Sequence, residues 1–164
     1  AAARAARRVG SNFNLTGSAD IAGAGDVYFN SGTINLAGTY NIGGATSFSG
    51  GIANFNAPIT SLGSGALTFS GGTANFNSNA VTVSALNLSS GTLGGTADLS
   101  TSGLFTLSGG PLSGSGAINA NGGIDLSSDG HSLMGRGLRN AAGQTANLHG
   151  AGSSLNFGNW RTFS

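Results

Sequence analysis

Residues 47–56 read SFSGGIANFN and residues 68–77 read TFSGGTANFN, so the second copy begins 68 − 47 = 21 positions after the first. Each copy runs from an aromatic residue through serine and glycine into an alternation of small, polar and aromatic side chains. The end of the decapeptide belongs to a longer series: NFNL (12–15), TINL (33–36), IANF (52–55), TANF (73–76), TADL (96–99), AINA (117–120) and TANL (145–148). The third letter is always Asn or Asp, at Asn14, Asn35, Asn54, Asn75, Asp98, Asn119 and Asn147, with successive spacings of 21, 19, 21, 23, 21 and 28. Self-similarity at such a period is the signature of a solenoid.

The local pattern selects the kind of solenoid. No segment carries apolar residues at a 3.6-residue spacing. Each period instead holds short alternating pieces, such as Val81-Thr82-Val83, Leu86-Asn87-Leu88 and Ile124-Asp125-Leu126, punctuated by Gly, Ser and Asn. Alternation between turn residues is the strand signal. Three short strands and three turns fill one period, which is one coil of a parallel β-helix. The predicted fold is therefore all-β, a β-solenoid of about seven coils of roughly 20 residues, some 30–35 Å long at the usual strand spacing. Side chains alternate across a strand. This places Ile34/Leu36, Ala53/Phe55, Ala74/Phe76, Ala97/Leu99, Ile118/Ala120 and Ala146/Leu148 inside. Gly32, Gly51, Gly72, Gly91 and Gly110 precede the repeated strands, and are expected at corners with positive φ or no room for a Cβ. A phosphate-cradling loop would need a helix after the glycines, often with Lys, and the chain contains no Lys.

Composition narrows the function classes. Charged residues make up only 7% of the 164 residues, against about 25% in an average domain. The apolar fraction of 38% and its regular placement argue against a disordered linker. The six basic residues are all Arg, with Arg4, Arg7 and Arg8 together near the start, and the net charge is +1. That is no cationic stripe for nucleic acid. No apolar run reaches the roughly 18–20 residues that span a membrane, so neither nucleic acid nor membrane insertion is expected. There is no Cys, which fits many bacterial surface proteins.

The outward residues form the candidate interaction face: Thr33, Asn35, Asn54, Thr73, Asn75, Thr96, Asp98, Asn119, Thr145 and Asn147. On a solenoid these are expected to make one flat, nearly uncharged Thr/Asn strip along the rod. Stacked amides and hydroxyls hold coils in register. The same strip is chemically suited to a carbohydrate, another rod or ice, although Ile52, Ala117 and Asp98 interrupt a regular threonine array.

The 28-residue spacing directs attention to SSDGHSLMGRGLRNAAGQ (127–144). It gathers Asp129, His131, Arg136 and Arg139, with Asp125 just before it. Glycoside hydrolysis requires two carboxyl groups at a set separation. Asp125 is expected to point outward from a strand, and Asp129 to sit in an Asp-Gly turn. A solvated loop accounts for the whole group, so no catalytic residue is assigned and no enzyme is expected. His131 and His149 have no second ligand at a recognised spacing, so no metal and no cofactor is expected. AGAGDVY (22–28) departs by one position from the calcium-binding nonapeptide and occurs once. Tyr28 and Trp160 are isolated aromatics.

At the ends, AAARAARRV is rich in helix formers, so residues 1–10 are expected to be a helical cap or a disordered tail. Residues 11–164 are expected to be a single solenoid domain. GSSLNFGNWRTFS (152–164) begins another coil without a polar cap. It suggests a segment of a longer rod or a subunit that stacks end to end.

The stretches SGGTANFN, SGTINLAGTYNIGG, LSGGPLSGSGAINANGG and LMGRGLRNAAGQTANLHG resemble the Gly/Ser/Thr/Asn-rich parallel β-helix stems of filamentous-haemagglutinin-like adhesins and autotransporter passengers. The resemblance covers about residues 11–160 and rests on pattern and composition. It implies a bacterial, extracellular or cell-surface protein with a structural or adhesive role, and it brings no functional residues with it. The expected partners are further copies of the chain in a homo-oligomer or filament, or further coils of the same parent chain. A glycan- or ice-binding solenoid and a polysaccharide-degrading β-helix are the alternatives.

Overall fold

The computed structural model describes residues 7–15, 17, 19–127, 131–149 and 155–158. Every strand pairing between successive coils is parallel, and three flat faces wind around one apolar bore. Face one stacks Arg7–Val9, Val27–Phe29, the first halves of Thr46–Phe55, Leu67–Phe76 and Leu86–Gly95, then Phe105–Leu107, Ile124–Leu126 and Ala146–Leu148. Face two stacks Phe13–Leu15, Thr33–Leu36, the second halves of the same three long strands, Leu112–Ser113, His131–Met134 and Leu155–Gly158. Face three is split into Ile21–Gly23, Tyr40–Ile42 and Ile59–Leu62, followed by Val81–Val83, Leu99–Thr101, Ala117–Ala120 and Gly137–Asn140.

The coil length follows from the register. On face one, Val27 opposes Thr46 and Leu86 opposes Phe105, so 46 − 27 and 105 − 86 both give 19 residues. Ser47 opposes Thr68, which gives 68 − 47 = 21. The predicted β-solenoid of about seven coils is the fold observed.

Glycine sets the corner between faces one and two. Gly32, Gly51, Gly72, Gly91 and Gly110 all have φ between 72° and 83°. A Cβ on Gly72 would also lie 2.7 Å from the carbonyl carbon of Gly50 on the coil beneath. Glycine therefore meets two demands there, a left-handed backbone and close backbone stacking.

The bore holds stacked identical side chains. Phe29, Phe48 and Phe69 are buried in one column, with ring centroids 4.9 and 4.7 Å apart. Phe55 and Phe76 stack at 4.9 Å in the next column. Phe55 meets Tyr40 edge-on at 5.2 Å. Leu88 and Leu107 continue the first column beyond Phe69. Each fully buried side chain of this size contributes about 1.5–3 kcal/mol. The predicted inward pairs are buried from Ile34/Leu36 through Ile118/Ala120. Ala146/Leu148 departs from the expectation, with Leu148 51% exposed. Leu148 opposes Leu126 on one side, and no strand among the described residues covers its other side.

Two further expectations are corrected. Arg7–Val9 is a strand, not part of a helix or a loose tail: it pairs in register with Val27–Phe29, and the Arg7 N–H donates to Asp26 O at 2.8 Å. Edge pairing on an existing sheet overrides the helix propensity of Ala and Arg. Residues 1–6 lie outside the described residues. The 28-residue interval is not an inserted loop. It compares Asn119 on face three with Asn147 on face one. Residues truly opposed there are Ala117 and Gly137 (137 − 117 = 20) and Ile124 and Ala146 (146 − 124 = 22). Residues 131–134 and 137–140 are strands of an ordinary coil.

Candidate interaction face

Face two carries the amide column that the repeat announces. Asn35 Nδ2 donates to Asn14 Oδ1, Asn54 Nδ2 to Asn35 Oδ1 and Asn75 Nδ2 to Asn54 Oδ1, each at 2.7 Å. The strands put these residues in register, and an amide has both a donor and an acceptor, so identical side chains join head to tail along the rod. The column stops at Gly94, which opposes Asn75. A Cβ on Gly94 would fall on Asn75 Oδ1. Beside the column run Thr33, Ile52, Thr73 and Thr92, each opposite the next. Ile52 is 41% exposed. Asn77 Nδ2 donates to Asn56 Oδ1 at 2.9 Å on the far flank. On the near flank, Ser31 and Ser89 donate to the carbonyls of Gly10 and Phe69 on the coil beneath, at 2.7 and 2.9 Å.

The ten predicted residues therefore do not form one strip. Thr33, Asn35, Asn54, Thr73 and Asn75 share face two. Thr96 and Asp98 lie at the corner before face three, where Asp98 Oδ1 accepts the Ala117 N–H at 2.7 Å. Asn119 is on face three, opposite Ser100 and Arg139, and donates to Ser100 Oγ at 3.4 Å. Asn147 is on face one, opposite Asp125, and Thr145 just precedes that strand. The cause is that all three faces use the same small-polar-large alternation, so the tetrapeptide does not tell them apart.

Of the suspected reactive residues, the side chains of Asp125, Arg136 and Arg139 are placed. Asp125 points outward as expected, and its Oδ1 lies 3.0 Å from His149 Nε2. Asp129, Trp160 and the side chain of His131 lie outside the described residues. Arg139 is exposed. Arg136 is the correction: it is fully buried, not solvated. No local pattern in the sequence marks it for burial, because the groups it meets lie 19 to 42 residues away.

The carboxylates otherwise serve the backbone. Asp26 Oδ1 accepts the Ala45 N–H at 2.8 Å. Asp20 Oδ1 accepts the Thr39 hydroxyl at 2.7 Å and its N–H at 2.9 Å, contacts that hold this carboxyl below its ordinary range. Asn79 does the same work where face three is interrupted, accepting the Ile59 N–H at 2.8 Å and donating to Ile59 O at 3.0 Å. At the corners, Asx side chains thus stand in for missing strand partners. Among the described residues no three His, Cys, Asp or Glu side chains gather as a metal would need. A cleft of about 140 Å³ lined by Arg7, Ala22, Ala24, Asp26, Val27 and Ile42 is apolar. It is smaller than the roughly 300 Å³ at which ligand pockets begin.

Comparison with protein-family models, with curated proteins and with solved structures returned no match.

Proposed function

We propose that the chain is a structural or adhesive β-solenoid of a bacterial cell-surface or extracellular stalk, fibre or matrix, and that it self-associates through face two or through open coil ends. The observation that carries this reading is face two itself: a flat strip of Asn and Thr with Ile52 exposed at its centre and no charged side chain from Thr33 to Thr92. Uncharged flat faces lack the repulsion that keeps rods apart. The resemblance in composition to adhesin and autotransporter stems supports the extracellular placement.

A sedimentation series over concentration tests the reading, with Ile52→Asp beside the unmodified chain. Growth of larger species that Ile52→Asp suppresses supports association through face two. Growth that Ile52→Asp leaves intact moves the interface to the coil ends. A single species at all concentrations overturns the reading.

One observation favours glycan binding as a second reading. The inner ladder asparagines, Asn35 and Asn54, each spend one N–H and one lone pair on their neighbours and keep another of each for a ligand hydroxyl. A glycan-binding screen tests it, with loss of binding expected for Thr73→Tyr. The exposed Ile52 breaks the threonine column that an ice surface would match.

A further inference from the structure

Arg136 sits at the corner between His131–Met134 on face two and Gly137–Asn140 on face three. Its side chain is fully buried and runs down across the two preceding coils. Nε donates to Ser113 O at 3.1 Å. Nη1 donates to Ala97 O at 3.2 Å and Ala117 O at 3.4 Å. Nη2 donates to Gly94 O at 3.0 Å and Gly95 O at 3.4 Å. A guanidinium has five N–H bonds, and five carbonyls receive them.

No carboxylate forms an ion pair with Arg136 among the described residues. Burial lowers its guanidinium to about 10, and Asp98 opposes that shift from a distance. The group therefore stays charged at neutral pH, balanced mainly by carbonyl dipoles.

The carbonyls are held by contacts that do not involve Arg136. Ala97 N–H donates to Phe76 O at 2.8 Å, and Ser115 N–H donates to Gly95 O at 3.1 Å. Asp98 Oδ1 fixes the Ala117 amide. Gly114 and Gly116 rest directly on the carbonyls of Gly95 and Ala97, with no space for a Cβ. The walls are backbone stacked on backbone.

We propose that this corner is a preformed guanidinium-binding site which the chain fills with its own Arg136, and which takes up a free alkylguanidinium cation when that side chain is removed. The geometry selects the ligand class. An ammonium offers three donors from one point and cannot serve five spread carbonyls. A calcium ion needs oxygens at about 2.3–2.6 Å, and these carbonyls are spaced for N–H donors. The site is independent of any association between rods.

The test is the thermal midpoint of Arg136→Ala with and without millimolar ethylguanidinium, well below denaturing levels, with ethylammonium as control. Truncation is expected to lower the midpoint by about 5–10 °C. Ethylguanidinium should recover at least half of that loss, ethylammonium none, and the unmodified chain should not respond because its site is full. Absence of rescue, or an equal response from the unmodified chain or from ethylammonium, overturns the proposal. Arg136→Ser, which leaves the same space open with a small polar stem, is read in the same way if Arg136→Ala does not fold. If neither folds, refolding yield replaces the midpoint. A yield raised by ethylguanidinium alone supports the site, and equal yields with the two cations refute it.

Discussion

Replacing Asn54 by Asp changes one atom type in the middle of the amide column. Asn54 donates to Asn35 Oδ1 and accepts from Asn75 Nδ2, both at 2.7 Å. A carboxylate still accepts from Asn75 but presents a lone pair to Asn35 Oδ1 where a donor stood. The change removes one hydrogen bond, about 0.5–1.5 kcal/mol, and leaves a half-buried acceptor facing an acceptor. A cost of about 2 kcal/mol follows, or roughly 4–8 °C in the thermal midpoint of a chain of this size. The pH dependence has a definite sign. Protonation restores a donor toward Asn35, so the folded state raises the introduced carboxyl above its unfolded value of about 3.9. The penalty is therefore complete at neutral pH and shrinks as pH falls through the raised folded value. Thermal melts by circular dichroism from pH 7 down to about pH 4 should show the gap to the unmodified chain closing. Asn87→Asp is the control. Asn87 points outward between Thr68 and Thr106 on face one and makes no side-chain hydrogen bond among the described residues. It should stay within about 0.5 kcal/mol. Equal losses at the two positions, or a gap at Asn54 that does not move with pH, would refute the amide column as a source of stability.

Phe55 is fully buried, stacked on Phe76 at 4.9 Å and edge-on to Tyr40 at 5.2 Å. Phe55→Ala should cost about 3–5 kcal/mol in denaturant or thermal unfolding. Burial raises the Tyr40 phenol above its ordinary value of about 10, against a smaller opposing effect from its hydrogen bond with Thr46 Oγ1 at 2.9 Å. Stability linked to the neutral phenol is complete below about pH 10 and declines as pH rises above it; an alkaline melt series should show that decline reduced in Tyr40→Phe. Cysteine pairs check the winding in a chain with no native Cys. Asn54→Cys with Asn75→Cys stand opposed one coil step apart, about 4.8 Å, within reach of a disulfide, and should cross-link on oxidation. Asn75→Cys with Asp98→Cys should not, since Gly94 is the residue opposite Asn75.

The fold was legible because its determinants are local and repeated. The decapeptide at 47–56 and 68–77 carries one corner glycine and one inward aromatic pair per coil, and Gly51, Gly72, Phe55 and Phe76 occupy the predicted places. The candidate strip was half legible. Asn35, Asn54 and Asn75 align because face two repeats its corner and its strand together. After Gly94 the tetrapeptide recurs on other faces, and its spacing of 23 and then 28 marks the departure. The corner glycines keep the true register: Gly32, Gly51, Gly72, Gly91 and Gly110 are spaced 19, 21, 19 and 19. They do so because a positive φ is a stricter requirement than an outward polar side chain, which any face accepts. Arg136 was misread for a related reason. Arginine is ordinarily exposed, and its five acceptors lie 19 to 42 residues away in sequence, beyond any local pattern.

Electron microscopy of the purified native material tests the structural role most directly. The account predicts filaments or laterally packed rods that become more abundant with concentration, with diffraction along the rod axis near the 4.8 Å coil spacing. Discrete rods of one size, unchanged by concentration, would contradict it.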